Sequence, residues 1–485
     1  MRYLKYASFA LLVLALTAAA ADTPAPLSKD LKTALGTIRP MDGYEYTKTL
    51  ASKEFAGRLT GHEGYTAAAR WAAGKFAAWG LKSLNAKDGH LQPYPSPVTV
   101  VDKGEMTLLL PEGQGFKEMK LVPEKDFMPL LFTASGEREG GLVFAGWGIS
   151  APDLNYDDYA GLDVKGKFVL CFRGTPDRDR KWQVHDEHRT RMKVARDKGA
   201  LGIVYIYAEV NSHPNGDWLA DFTPSMVSEK VADSVFKEVN GSSTELRKTL
   251  TTYKRPVSFP LQAKARVTFI SRHFPDAVGY NIVGWVEGSD PKLRREVVVL
   301  GGHFDHTGTH MGLLFPGADD NASGSAAVME IAQAFASLGR KPKRSVAFVL
   351  FGGEELGLQG STWFAGHVPS VFVKVDAMFN FDMVGEGDGL GGAVSDFAPD
   401  FKAAIEAADA QVGILRRLGD IRNVGVRGSD FAPFHLQGIP AASLGSNGPH
   451  LAYHQTGDTI YRINPDMIAD AARLAFLAAF DRADR

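Results

Sequence analysis

The sequence predicts an α/β fold over its carboxyl-terminal half, with a mostly parallel central sheet flanked by helices on both faces. Three observations carry this expectation. The runs Glu296 to Leu300, Ser345 to Phe351 and Val375 to Phe381 are apolar along nearly their whole length, as strands buried on both faces are. A helical stretch, Ser323 to Leu338, separates the first two runs, and strands alternating with helices imply parallel pairing. Sheets of this kind bind ligands beyond the carboxyl ends of their strands, which is where the chain puts His303, Glu354, Glu355 and Asp382.

Bulk properties set the frame. At 485 residues the chain exceeds one compact core, so two or three folding units are expected. It is 45% hydrophobic and 23% charged with a formal net charge of -2, an ordinary globular balance without the basic excess that nucleic-acid binding needs. Arg2 and Lys5 precede an apolar run, Ala7 to Ala20, too short for the roughly 20 residues of a spanning helix. Residues 1–21 therefore read as a signal peptide cleaved near Ala21, and the mature protein is expected in the periplasm or outside the cell, without a membrane span. Cys171 is the single cysteine, so no internal disulfide forms; a buried thiol is expected.

In chain order, Leu27 to Gly36 and Met41 to Ala51 read as short helices. Glu63 to Trp79 is a stronger one, with Tyr65, Ala68, Ala69, Ala72 and Phe76 at helical spacing and Gly80 as its stop. From Val98 the texture changes to short β-like runs broken by Gly, Pro and Asp, including Met106 to Leu110, Gly141 to Phe144 and Lys167 to Phe172. This β-rich stretch, 98–270, holds no repeated set of metal-competent residues. His185, Glu187 and His188 read as a solvated polar loop.

The chemistry gathers further on. Strand ends deliver His303, then Glu354 and Glu355, then Asp382 to one edge of the sheet. Asp319 and Asp320 sit at the mouth of the following helix, where Asp319 reads as a helix cap. His454 lies in a loop before a final helix that starts at Asn464-Pro465, with Asp458 as a loop or cap residue. Imidazoles among the carboxylates favour zinc over calcium. Five ligands, His303, Asp320, Glu355, Asp382 and His454, exceed one open tetrahedral site and suit two zincs about 3.5–4 Å apart. Asp305, two residues from His303 along an extended chain, is placed to accept the second imidazole proton. Of the adjacent Glu354 and Glu355, one can bind metal while the other reaches the water.

Two resemblances follow from these motifs. Phe144-Ala145-Gly146-Trp147-Gly148-Ile149, Tyr156-Asp157-Asp158-Tyr159-Ala160-Gly161 and Gly166-Lys167-Phe168-Val169-Leu170 resemble a protease-associated domain, which in its family shapes substrate access to a zinc peptidase. Gly302-His303-Phe304-Asp305, Gly317 to Gly324, Gly353-Glu354-Glu355-Leu356-Gly357, Asn380-Phe381-Asp382 and Tyr453-His454 resemble the M28 zinc aminopeptidases and carboxypeptidases. Ser429 to Phe434 resembles another family segment, with Phe431 where His is frequent. Phe55-Ala56-Gly57-Arg58 resembles the family's start. The resemblance implies a peptidase domain in two parts, 22–97 and 271–485, interrupted by the β-rich one.

It also implies roles: Asp320 bridging two Zn2+ ions, His303 and Asp382 completing one, Glu355 and His454 the other. Glu354 is implied as general base and Tyr453 as donor to the oxyanion. The implied substrates are peptides cleaved from the N-terminus. A carboxypeptidase or dipeptidase is the alternative; it needs arginines aimed at a carboxylate, and Arg416, Arg417, Arg422 and Arg427 are the candidates, with surface solubility as their default reading. A noncatalytic receptor-like protein is a further alternative, one that predicts missing ligands. Met311, Leu313, Leu314 and Phe315 are expected either to line an apolar pocket or to pack as an ordinary loop.

Overall fold

The computed structural model describes residues 26–84, 87–424 and 428–485. The expected signal peptide and Arg427 lie outside them. No helix among the described residues is long and apolar enough to cross a membrane.

After a short helix, Lys29–Leu35, the helices α1 (Pro40–Leu50) and α2 (Glu63–Ala78) lead to β1 (Leu91–Pro95). After the β-rich segment come β2 (Val278–Val286), β3 (Glu296–His303), α3 (Gly324–Ala336), β4 (Ser345–Phe351), α4 (Gln359–Gly366) and β5 (Lys374–Phe381). The series ends with β6 (Leu390–Val394), α5 (Pro399–Asp409), β7 (Leu415–Asp420), β8 (Ala441–Ser446) and α6 (Pro465–Asp484). These strands form one eight-stranded sheet in the order β1-β2-β4-β3-β5-β8-β6-β7.

Its centre, β4-β3-β5-β8, is parallel, while β1-β2, β2-β4 and β8-β6 pair antiparallel, so the sheet is mixed at its flanks. Both faces of the centre are buried, which is why β3 and β4 read as nearly unbroken apolar runs. Side chains alternate across the pleat. Val298, Leu300, Val346, Phe348 and Leu350 join the core packed by α2, α3 and α6. Val297, Val299, Ala347, Val349 and Phe351 join a second core with Phe364 of α4. Asn464 caps α6 as expected, its side chain accepting from the Asp466 N–H at 3.1 Å.

Residues between β1 and β2 form a separate eight-stranded sheet with its own apolar cores. The strands entering and leaving it, Val98–Glu112 and Ser258–Phe274, pair antiparallel from Val98↔Phe274 onward, so both crossings lie side by side. Cys171 is buried there, and burial pushes its thiol up to about 12. His188 departs from expectation. It is buried, not solvated, with its ring against Tyr205 and His213 at 4.9 and 4.6 Å, and burial holds its pKa well below the usual histidine range.

One buried charge on α3 yields a stability prediction. Glu330 is 1% exposed; Oε2 accepts from the Arg39 N–H at 3.0 Å and Oε1 has no partner. Burial raises its pKa from 4.5 to about 7. Between those values the folded state keeps a proton that the unfolded chain has released, so stability falls as pH rises through the window. Glu330→Gln is expected to stabilise by about 1–3 kcal/mol at pH 8 and to lose that advantage toward pH 4.5. Thermal unfolding across pH checks this, and a difference that does not change with pH would refute it.

Candidate metal centre

Three neighbouring parallel strands bring their carboxyl ends together. In the β3-β4 register His303 lies opposite Phe351, three residues before Glu354. In the β3-β5 register Gly301 lies opposite Asn380, which leaves Asp382 level with His303. The fourth contributor is the turn 317–323. Gly317 has φ +58, and a Cβ there would sit 2.2 Å from the Asp320 carbonyl and 2.4 Å from His306 Cγ, so only glycine lets the loop fold this tightly.

Asn321 ties the turn to the strand ends. Its Nδ2 donates to Phe381 O at 2.8 Å, and its Oδ1 accepts from the N–H groups of Gly324 and Met383 at 2.9 and 3.0 Å. The Asp458 carboxylate accepts from the N–H groups of Asp319 and Asp320 at 2.8 and 3.0 Å, a loop role of the kind expected for it. Beneath the site, the buried guanidinium of Arg58 donates to Phe304 O, Pro316 O and Gly317 O, each at 2.8 Å, and to Leu50 O at 2.6 Å. It thereby clamps the two ligand-bearing loops to the segment before α2.

The resulting geometry is organised around Asp320. Its Oδ1 lies 3.2 Å from His303 Nε2, which is also 3.3 Å from Asp382 Oδ1. Its Oδ2 lies 3.2 Å from His454 Nε2, which is also 3.0 Å from Glu355 Oε2. One carboxylate thus faces two separate histidine-carboxylate pairs with its two oxygens. His454 Nδ1 is engaged by Ser212 O at 2.8 Å and His303 Nδ1 by Asp305 O at 3.2 Å, which leaves Nε2 of both rings directed at the carboxylates. The Asp320, His303, Glu355 and His454 side chains are at most 6% exposed, whereas Asp382 is 22% exposed and forms the open side.

The electrostatics follow from crowding in a buried place. Burial opposes charge on His303 and His454, but Asp382 and Asp320 for the first, and Glu355 and Asp320 for the second, outweigh it and raise both pKa values. Burial likewise opposes charge on Glu355, yet His454 and His306 hold its pKa down at about 2. Glu354 goes the other way: burial, with Glu355, Asp382 and Asp430 nearby, holds its pKa well above the usual carboxylate range.

A divalent cation fits this donor set. His306, Asp320, Glu355 and His454 bring one ligand atom each within 4.8 Å of one another, and His303, Asp320 and Asp382 do the same. Asp320 Oδ2 is buried and faces His454 Nε2 at 3.2 Å without a well-aligned hydrogen bond, an arrangement that a cation bound between them would satisfy. Mixed imidazole and carboxylate donors suit zinc.

All five expected ligands and Glu354 meet here. Tyr453 is adjacent, half-exposed as a residue and stacked on the His454 ring at 3.9 Å; desolvation of its hydroxyl end, with Asp320, Glu355 and Glu354 near, holds that hydroxyl well above the usual tyrosine pKa. Asp319 is not a helix cap: its Oδ2 meets His450 Nδ1 at 2.6 Å and its Oδ1 accepts from the Gly385 N–H at 2.8 Å. The reason is that Asp320 and Asn321 leave helical φ/ψ, so α3 begins only at Gly324. The Asp305 carboxylate is not the partner of His303 either; its backbone carbonyl is, with Oδ1 at 3.8 Å, because the chain leaves extended geometry after β3.

Phe315, Met311 and Leu313 pack into the β-rich domain's core with Phe132 and Phe222, the ordinary packing outcome. Phe431 is likewise core, packed with Phe434. Arg416 and Arg417 lie on β7, separated from β5 by two strands; Arg416 donates to Asp388 O and Arg422 pairs with Asp420.

His306 was not singled out from sequence. Its Nδ1 lies 3.0 Å from Glu355 Oε1, and its Nε2 is buried without a partner. Strand alternation puts residue 306 on the face opposite His303, and only the turn after β3 brings both to the same centre. The one available signal was the density of His303, Asp305 and His306 within four residues.

Comparison with known proteins bears on this centre. Residues 281–479 match the family model for Peptidase family M28. The chain is 34% identical over 175 residues to Leupeptin-inactivating enzyme 1 of Streptomyces exfoliatus, covering 36% of this chain and 37% of that protein. It is 26% identical over 355 residues to Aminopeptidase YwaD of Bacillus subtilis (strain 168), covering 69% and 67%. The solved aminopeptidase from Aneurinibacillus sp. strain AM-1 superposes with a TM-score of 0.63 at 19% identity, covering 93% of this chain and 96% of that one, a likeness of fold.

Proposed function

From a chain that carries a peptidase family M28 domain over residues 281–479, we propose that the protein is an exported aminopeptidase with two Zn2+ ions, removing N-terminal residues from peptides. The observation that carries this reading is the division of the Asp320 carboxylate, Oδ1 toward His303 and Asp382, Oδ2 toward His454 and Glu355. In the proposal Asp320 bridges, His303 and Asp382 hold one ion, and Glu355 and His454 hold the other. The β-rich segment is read as an inserted protease-associated domain, and Arg2, Lys5 and the apolar run after them support export.

Zinc, when bound, supplies Lewis acidity toward a water molecule and toward the scissile carbonyl. Glu354 takes a proton from that water on its carboxylate. The water oxygen bonds the carbonyl carbon, the C–N bond breaks, and the proton held by Glu354 leaves on the amine nitrogen. The Tyr453 hydroxyl, kept protonated by its neighbours, donates to the carbonyl oxygen as negative charge develops there.

A carboxylate-rich centre attracts the substrate's free ammonium, whereas Arg416, Arg417 and Arg422 belong to the outer strand and the turn after it. An aminoacyl anilide is therefore expected to be cleaved and an N-blocked peptide spared, with activity lost to a chelator and restored by zinc. Equal cleavage of both substrates, or full activity after chelation, contradicts the proposal.

A further inference from the structure

The loop that carries His454 is held from the β-rich domain. His454 Nδ1 meets Ser212 O at 2.8 Å, and the Ser212 N–H donates back to His454 O at 2.9 Å. The Thr456 N–H and hydroxyl donate to the two carboxylate oxygens of Glu124 at 2.6 and 2.9 Å, and Gln455 Nε2 donates to Val210 O at 3.4 Å.

On the peptidase side the loop is tied at its two ends, His450 to Asp319 and Asp458 to the N–H groups of Asp319 and Asp320, while Leu451 and Tyr453 are 68% and 48% exposed. His454 itself has φ +55, a left-handed conformation uncommon for a side-chain-bearing residue. His303 differs. Its Nδ1 meets Asp305 O, and Ser325 Oγ donates to His303 O, all within the domain that carries it.

We propose that the β-rich domain is a structural part of the metal centre, with Glu124 and Ser212 as positioning residues for His454. Cation binding at the His454–Glu355 position and docking of that domain then strengthen each other, while the His303–Asp382 position stands apart. Reciprocity follows from thermodynamic linkage: if docking tightens one metal position, metal there tightens docking. The inference rests on the two-zinc reading above, and its signature is asymmetry between the two positions.

The test uses the full-length protein and zinc alone. Zinc per chain and its affinity, from competition with a chromogenic chelator, are measured for wild type, Glu124→Ala, Thr456→Val and the conservative Thr456→Ser. Hydrogen exchange of segments 121–129 and 209–214 is followed with and without zinc. Wild type is expected to bind two zincs, and Glu124→Ala to keep one while the other weakens on the order of 10-fold, a typical cost of losing an outer contact of a metal ligand. Thr456→Val, which keeps its N–H bond, moves the same position by less, and Thr456→Ser behaves as wild type.

Zinc is expected to slow exchange in both segments of the wild type and to do so less in Glu124→Ala. If Glu124→Ala fails to fold, the zinc stoichiometry of Thr456→Val and the wild-type exchange response decide. Unchanged affinities in the variants, or equal weakening of both positions, overturns the proposal. Wild-type protein that binds no zinc removes the two-zinc reading itself.

Discussion

Replacing Glu354 with Gln is expected to lower kcat by about 10²- to 10⁴-fold, the usual share of a general base, with zinc content unchanged. Glu354 lies among the ligand atoms of His303 and Glu355, but the Asp320 carboxylate already faces both histidine-carboxylate pairs. Glutamine keeps the length and shape of the side chain and loses its charge, one acceptor and the capacity to take a proton. Metal analysis alongside steady-state kinetics separates the two effects. A variant with normal turnover would sink the assignment of Glu354, and one that loses zinc would recast it as a ligand.

Asp320→Ala is expected to be more damaging, with zinc falling from two per chain to one or none and activity to background. The carboxylate is 2% exposed and lies between His303 and His454, at 3.2 Å from Nε2 of each, so its removal strips a donor from both positions together. It also leaves two buried imidazoles facing each other across the site without their shared counter-charge. His454→Ala, in contrast, is expected to lose one metal only. Zinc analysis of the two variants distinguishes bridging from single ligation: equal losses in both would remove the special role of Asp320.

The central sheet was legible because buried parallel strands need apolar side chains on both faces, and Glu296 to Leu300 and Ser345 to Phe351 satisfy that need residue by residue. The ligand edge was legible for the same reason: once the strands are found, their carboxyl ends are found too. Asp319 was misread because the aspartate before a helix is ordinarily its cap. Here the chain stays non-helical through Asn321, and Asp319 turns to His450 instead. The place of His306 at the centre, and the clamping role of Arg58 within its motif, escaped because strand alternation and composition are silent about turns that fold back over a strand end.

The sequence by itself determined the α/β class and singled out the five residues proposed as ligands and the carboxylate beside them, from local periodicity and from metal-competent residue types at strand ends and in the loops that follow. Tertiary structure decided which oxygen of Asp320 faces which histidine, and which carbonyl holds each imidazole. It also decided that His454 is held by a domain remote in sequence, through contacts to Ser212 and Glu124 that span 242 and 332 residues from His454 and Thr456. These contacts arise where two separately packed sheets meet, and no local pattern in the chain encodes their meeting.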